Sequence, residues 1–550
     1  MNDQIRKKRF GNRAGILSLL FLIMLPIGWI LHDNYGGYTD ELIEIGTAAV
    51  NAKYIAQKLP FLSFLTDLRL PIYNDPEVLI DLLVHDERGH GTAVMMPTIL
   101  VNRLPGVSLN LSQLLNFRRF YIFLNYWLAG LIFCYVLCLR SRSWLVPLVG
   151  FFVYFLTPRF FAESFYNCKD LIFFSWFLIS LCGLAWYQYT RSRIGLALFA
   201  IAFGPAVNTR YYGAILGIML IGLWMANFAS DRASRRNETV PVLLAGIGAL
   251  LSFYLFTPLM WELDFGAIVS GFRRLSTLPT IGDAELFMGR LVAPRDVWYF
   301  IPVWIGITIP VLYLAFWFLG SIDSIRSIRQ LRHRTDFEKQ VLRFDLVCLI
   351  TLIVVLLLVI LVKATFYHAW RHTYFLYALM LPLIVRGFEN AAGLFIEKTE
   401  LTLRQGIVVG LCLISFANTS LWMVRNHPLD FVYFNEIGRH FATSFSRDYW
   451  GVGSKNCILT LAGMIPEGRQ AQLGVNADLT YGSAEFTLIR LPESIQAKFK
   501  PVWQNHNADY LCYSYKNAPG NNFAIEGFIQ IQALQVDGFD VVGIYQNNSE

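Results

Sequence analysis

Charged side chains are scarce in this chain: Lys, Arg, Asp and Glu make up 15% of its 550 residues, where a soluble globular domain carries roughly 25%. With 55% hydrophobic residues and a mean hydropathy of +0.45, that shortage excludes an ordinary soluble enzyme and points to a polytopic membrane protein. The basic excess is small, +7, and is dispersed over short loops, so nucleic acid is not an expected partner. Cysteine is scarce as well, at 8 residues. No CxxC and no His-rich zinc spacing occur, which argues against a structural metal. P-loop and Rossmann glycine patterns are missing, as are repeats and low-complexity tracts. The first apolar run, 14–31, follows Arg6-Lys7-Lys8-Arg9 and Arg13 but precedes no small-x-small cleavage site, so it reads as an uncleaved first span.

What the chain does have is long apolar runs. Segments able to cross roughly 30 Å of hydrocarbon fall near 14–32, 119–139, 144–158, 171–190, 194–209, 213–229, 240–260, 300–320, 345–364, 373–388 and 406–424. The fold class expected is therefore an α-helical polytopic membrane protein with about 11 transmembrane helices, on the order of one span per run. Arg140/Arg142, Arg191/Arg193, Arg232/Arg235/Arg236, the 326–343 run and Arg386/Lys398/Arg404 share the side of the basic N-terminus, which the positive-inside bias makes cytoplasmic. An odd span count then leaves the C-terminus outside.

The opposite side holds the unusual material. Residues 33–118 form a first outer loop far longer than a connector needs. Within it, 40–58 has apolar residues at helical spacing and predicts an amphipathic helix, with a second at 76–103. The 261–299 loop carries Trp261, Trp298 and Tyr299 as interface anchors. From Arg425 the composition turns soluble, dividing the chain into a membrane module, 1–424, and a small C-terminal extracytoplasmic α/β domain, 425–550. Segments 457–462, 484–490, 508–515 and 530–545 read as strands, with a hairpin turn at Val536-Asp537-Gly538-Phe539. Cys134, Cys138, Cys182, Cys348 and Cys412 lie in spans as small apolar residues. Cys457 and Cys512 both fall in the outer domain, and their pairing is left open.

Span alternation brings Asp40, Glu41, Asp86, Glu87, His90, Arg159, Lys169, Asp170, Arg210, Arg371, His372 and the segment 447–451 to one membrane face. Each has a plain structural alternative. Asp40-Glu41 follows Gly36-Gly37 and opens a helix, where a carboxylate caps free N–H groups; its chemical role would be a general base. Lys169 with Asp170 can be a snorkelling lysine and its ion pair. Arg210 can be an interface anchor. The segment Tyr367-His368-Ala369-Trp370-Arg371-His372 adds a guanidinium and two imidazoles, and arginine forks match phosphate oxygens. Cations gathered on the face that the positive-inside bias leaves poor in them suggest an anionic ligand, such as a lipid headgroup phosphate.

The order Asp40-Glu41, then Pro158-Arg159-Phe160-Phe161 and Asn167-Cys168-Lys169-Asp170, resembles the bacterial GT-C class glycosyltransferases, nearest to the protein O-mannosyltransferase and aminoarabinose transferase family. Trp370-Arg371-His372, His427-Pro428, Tyr433-Phe434-Asn435-Glu436 and Asp448-Tyr449-Trp450-Gly451 are similar to motifs of one bacterial subgroup. The resemblance spans about 14 to 455. It departs at Glu163 or Ser164, where the subgroup often carries His, and at Cys168, where it carries Pro.

The resemblance implies a GT-C-like fold and a multi-pass protein of the bacterial inner membrane. It implies an undecaprenyl-phosphate-linked sugar as donor, an extracytoplasmic glycan, lipid or protein acceptor such as lipopolysaccharide, and inversion at the anomeric carbon. Asp40 maps to the catalytic base, with Glu41 beside it. Lys169, Arg371, His372, Arg210 and Arg159 are expected at the donor phosphate, and Asn167, Asp170, Tyr367 and Trp450 at the substrate. No cofactor is expected, and a divalent cation at the Asp40-Glu41 pair is left open. The rival readings are a transporter or flippase of a lipid-linked sugar, an O-antigen ligase or polymerase, and a membrane scaffold displaying 425–550. The first calls for ionisable residues in mid-span.

Overall fold

The computed structural model describes residues 3–38, 40–71, 80–228, 232–262, 266, 284–394, 402–474, 483–503 and 507–548. Each predicted apolar run falls on a helix: α1 (Asp3–Leu31), α3 (Leu111–Arg140), α4 (Leu145–Phe155), α6 (Asp170–Thr190), α7 (Arg193–Thr209), α8 (Ile215–Phe228), α9 (Arg232–Phe256), α12 (Asp336–Leu361), α13 (Phe375–Ala391) and α14 (Leu403–Asn426). The run at 300–320 is the exception. It is split into α10 (Phe300–Thr308) and α11 (Val311–Ser327), because Pro310 has no N–H to continue the ladder. Seven helices among the described residues are both long and apolar enough to cross a membrane, and three shorter apolar ones accompany them.

Local signals fix where several helices begin. Asn110 with Gln113, Thr335 with Glu338 and Thr402 with Gln405 form reciprocal capping boxes at the starts of α3, α12 and α14. Helix α6 is the central one, 89% buried over its apolar window, and packs against α3 and α7. Helices α11 and α13 approach so closely that a Cβ on Gly387 would fall 1.8 Å from the Phe316 carbonyl oxygen. Small residues permit such contact where lipid supplies no hydrophobic drive between helices.

Two of the arginines used to orient the chain are not loose loop charges. Arg140 is buried and pairs with Asp345 at 2.6 Å and Glu389 at 3.0 Å. Arg386 pairs with Asp345 at 3.0 Å and Asp323 at 2.7 Å. An unpaired charge there would be expensive, so these residues knit α3, α11, α12 and α13 together at the end of α3 away from the outer loop.

In the long loop 33–118, α2 (Asp40–Lys58) matches its predicted bounds. It buries Ile45, Ala48, Ala49 and Ala52 in a small core with Ile99, Leu114 and Leu115, so this face packs on protein. The second helix expected at 76–103 does not form over its described part, 80–103. Residues 72–79 lie outside the described set, and 80–103 are turns with helical pieces of three or four residues.

The C-terminal region holds a five-stranded sheet. With a hairpin of β1 (Glu285–Phe287) and β2 (Arg290–Val292) numbered first, its strands are β3 (Ala471–Gly474), β4 (Phe499–Val502), β5 (Tyr510–Ser514), β6 (Phe528–Val536) and β7 (Phe539–Asn547), ordered β4-β3-β5-β7-β6. Strand β3 runs parallel to β4 and β5, and β7 antiparallel to β5 and β6. The β6–β7 turn is at Asp537-Gly538, both left-handed (φ 48° and 82°), as the hairpin signal predicts. Two expected strands are helices instead: 457–462 lies in α15 (Ser454–Met464) and 484–490 largely in α16 (Ser483–Leu488). The buried set Cys457, Ile458, Leu461 and Ala462 has helical spacing, which the short apolar run concealed. Cys457 and Cys512 form a disulfide joining α15 to β5, with Cα atoms 5.9 Å apart.

Candidate functional site

The Gly36-Gly37 turn sets where α2 starts. The Gly36 N–H donates to the Val452 carbonyl and the Gly37 N–H to Thr487 Oγ1, both at 2.7 Å. A Cβ on Gly36 would sit 2.5 Å from the Val452 oxygen, and one on Gly37 2.6 Å from the Phe486 carbonyl carbon. Only glycine allows the C-terminal region to approach this closely.

Glu41, paired with Asp40 in the sequence, has a partner of its own. Arg119 donates Nε–H to Oε1 at 2.7 Å and Nη2–H to Oε2 at 3.0 Å, and its Nη1–H to the Tyr35 carbonyl at 2.7 Å. Both side chains are buried. Burial raises the Glu41 pKa, but Arg119 and Arg490 outweigh it and hold the carboxyl below its usual value. With both Glu41 oxygens taken, the pair would offer a cation only one carboxylate, and no group of three metal-ligating side chains occurs among the described residues. Asp40, the first residue of α2, is half-buried, and it interacts electrostatically with both Lys169 and Arg371.

Lys169 is enclosed by acids. Glu44 lies 3.1 Å from Nζ and Glu87 3.9 Å. Burial would lower the ammonium pKa, yet Glu44, Asp40 and Glu87 reverse this and keep it raised. Glu87 is hydrogen-bonded to His90 Nδ1, and mainly through that bond its pKa is held down to about 2. Lys169 therefore serves first as the counter-ion of three carboxylates. The sequence signal for Glu44 was its position one helical turn beyond Asp40, on the same face.

The cations expected at a phosphate gather around Asp170. Arg210 Nη2 donates to Oδ1 at 2.6 Å and Arg371 Nη1 to Oδ2 at 3.2 Å. Asn167 Oδ1 accepts the Asp170 N–H at 2.8 Å. The Arg371 guanidinium lies over Trp450, Tyr367 and Tyr449, at 4.4, 4.6 and 5.0 Å from the ring centroids. His372 meets Tyr367 edge-on at 4.5 Å, and burial, followed by Arg371, keeps its imidazole far below the usual pKa, hence neutral. Arg371 Nε, Arg210 Nε and His372 Nε2 are buried without a hydrogen-bond partner among the described residues. Two guanidiniums thus share one carboxylate, leaving a net positive charge and three buried nitrogens unsatisfied.

Arg159, on the short helix α5 (Pro158–Glu163), belongs to a different set. Its Nε–H donates to the Tyr433 carbonyl at 2.9 Å, and its guanidinium lies over Phe434 at 5.1 Å and Trp304 at 5.3 Å. Nearby Glu163 accepts from Tyr374 Oη at 2.6 Å and Asn167 Nδ2 at 2.7 Å, and burial pushes its carboxyl up to about 7. A cavity of about 170 Å³ is lined by Asp296, Trp298, Ile301, Val359, Lys363 and Phe366, and the Phe366 ring stands 6.0 Å from that of His372.

The sequence did not single out Glu285. Its carboxylate accepts the N–H of His368 at 2.6 Å and of Ala369 at 2.9 Å. Those two residues are consecutively left-handed, with φ 60° and 54°, which costs a non-glycine residue roughly 1–2 kcal/mol each.

The chain is similar to two crystal structures of ArnT from Cupriavidus metallidurans. With the apo form the TM-score is 0.44 at 13% identity, covering 89% of this chain and 86% of that one. With the form bound to undecaprenyl phosphate it is 0.40 at 12% identity, covering 97% and 98%. No protein-family model and no curated protein matches the sequence.

Proposed function

We propose that this chain is a membrane glycosyltransferase that moves a sugar from an undecaprenyl-phosphate-type donor to an extracytoplasmic hydroxyl acceptor, such as a cell-envelope glycolipid or lipopolysaccharide, by inverting displacement. The observation that carries it is the arginine pair on Asp170. Arg210 and Arg371 share a single carboxylate, and the Nε atom of each, with His372 Nε2, is buried without a hydrogen-bond partner among the described residues. Buried donors without partners are rare. A phosphate oxyanion supplies the acceptors and the balancing charge in one group.

Asp40 would take the proton from the acceptor hydroxyl as that oxygen attacks C1. The C1–O bond to the lipid phosphate breaks on the opposite face, and the electron pair stays with the phosphate. Arg371 and Arg210 meet that charge as it develops, a preorganised stabilisation that needs no reorganisation during the step. Lys169, held among Asp40, Glu44 and Glu87, serves as their counter-ion rather than gripping phosphate itself. Tyr367 and Trp450 flank Arg371 and restrict the guanidinium to one approach, while Asn167 and Asp170 fix its aim. Glu41 holds α2 in place through Arg119.

Placement in a bacterial inner membrane, N-terminus inside and site outside, follows the positive-inside reading. The Cys457–Cys512 disulfide suits an oxidising compartment for the C-terminal region. The buried Arg140–Asp345–Arg386 group, which a flippase reading would enlist, is paired within itself. The test incubates purified protein with a panel of undecaprenyl-phosphate sugars and a lipopolysaccharide acceptor, and follows release of lipid phosphate. Acceptor-dependent release with one sugar is the expected result; no release with any sugar would overturn the reading.

A further inference from the structure

We infer that Glu285 is a positioning residue for Arg371: by accepting the backbone N–H groups of His368 and Ala369 it holds the turn that aims the guanidinium at Asp170. This deepens the proposed phosphate site and rests on that reading for its functional arm alone.

Glu285 stands on β1, more than eighty positions before the loop it holds, and is buried. Each carboxylate oxygen takes one amide, Oε2 that of His368 and Oε1 that of Ala369. Neither residue is glycine, and both are left-handed, a conformation that persists only where the surroundings impose it. Two residues later comes Arg371. Turning either residue back to φ < 0 would redirect the chain before Arg371 and separate it from Asp170.

The hairpin that carries Glu285 is itself anchored. The Gly289 N–H donates to the Ser444 carbonyl at 2.8 Å, and the Ser446 N–H to the Leu286 carbonyl at 2.9 Å. The Leu286 N–H donates to Asn517 Oδ1 at 3.4 Å. His368 also stacks on Tyr449 at 4.6 Å, and Tyr449 in turn flanks Arg371. The loop is therefore gripped by the C-terminal region through its ring and by the hairpin through its backbone. Burial pushes the Glu285 carboxyl up to about 7, against the Ala369 and His368 N–H groups and the nearby cations Lys516 and Arg159, which favour the ionised form.

Three full-length proteins in detergent decide the matter: wild type, Glu285→Ala, and Glu285→Ala with Ala369→Gly. Hydrogen exchange of the 366–373 peptide reports the loop, and titration with undecaprenyl phosphate reports Arg371. Glu285→Ala should expose the His368 and Ala369 amides and weaken undecaprenyl phosphate binding about tenfold, the factor given by 1.4 kcal/mol. Glycine adopts the left-handed region without a Cβ penalty, so Ala369→Gly should restore affinity to within about threefold of wild type on the same scale while the amides stay exposed. A merely structural role for Glu285 would not be rescued in this way. Unchanged exchange in Glu285→Ala, unchanged affinity despite faster exchange, or failure of the glycine rescue would each overturn the inference. Wild-type protein that binds no undecaprenyl phosphate would instead sink the phosphate reading, and the exchange comparison would still decide whether Glu285 holds the loop.

Discussion

Arg371 and Asp170 are 201 positions apart in the chain and 3.2 Å apart in the fold. The carboxylate is shared with Arg210, so neither cation is fully compensated. Geometry matters here as much as charge. Arg371 is wedged between Tyr367, Tyr449 and Trp450 with a flat guanidinium that an ammonium cannot imitate. Arg371→Lys is expected to weaken undecaprenyl phosphate binding by at least about tenfold, since a charge-assisted hydrogen bond contributes about 1.5–3 kcal/mol. Calorimetric titration of wild type and variant checks it. Equal affinity would mean that a point charge suffices and the fork plays no part.

Asp40 differs from its neighbour because no ion pair among the described residues engages it at short range, while Glu41 is committed to Arg119. Replacing Asp40 with Asn keeps the size and the capacity to cap α2 but removes the base. Turnover should fall by about 10²–10⁴-fold, with undecaprenyl phosphate affinity within about twofold of wild type. Single-turnover assays beside equilibrium titration separate the two effects. Near-normal turnover would assign the base elsewhere.

The apolar helices were legible in the sequence because hydrophobic length is a local property. So were α2, whose apolar spacing runs unbroken from Asp40 to Lys58, and the Asp537-Gly538 turn. What could not be read were the partners. Nothing in Arg118-Arg119 says that one of them crosses to Glu41, and Lys169 gave no sign of its three carboxylates. Arg159 lies ten residues before Lys169, on the short helix Pro158–Glu163, yet its guanidinium turns to the Tyr433 carbonyl, a partner 274 positions away. Glu285 escaped notice since its ligands are backbone amides, which carry no sequence signature. The break at Ile309-Pro310 was visible as a proline, but the hydropathy of the run outweighed it.

The Glu41–Arg119 pair should show as acid sensitivity. Glu41 is buried and its folded pKa lies below the ordinary value. A depressed carboxylate contributes stability that is present above the unfolded pKa of about 4.3 and lost as pH falls through the folded value. Glu41→Gln removes that component and leaves Arg119 buried without its counter-ion, at a cost of about 3–5 kcal/mol. Thermal unfolding in detergent between pH 3 and 7 should show a lower midpoint for the variant at neutral pH and a shallower loss on acidification. Parallel curves would place Glu41 outside the acid response.

Glu163 should behave in the opposite sense. Burial is the largest influence on it and raises its pKa to about 7, against the hydrogen bonds from Tyr374 and Asn167 and the nearby Arg159. A carboxyl raised on folding contributes stability that is complete below the unfolded pKa of about 4.3 and disappears as pH rises through about 7. Between pH 5 and 8 the wild-type unfolding midpoint should therefore drift downward. Glu163→Gln cannot ionise, and its carbonyl and amide groups can still meet Tyr374 and Asn167, so its midpoint should drift less than wild type's and overtake it at the alkaline end. Asp448, also buried and raised to about 7, contributes a drift of the same sign in both proteins, which makes the difference between the two curves the quantity to read. An unchanged difference across that range would show that Glu163 does not lose its proton in the folded protein near neutrality.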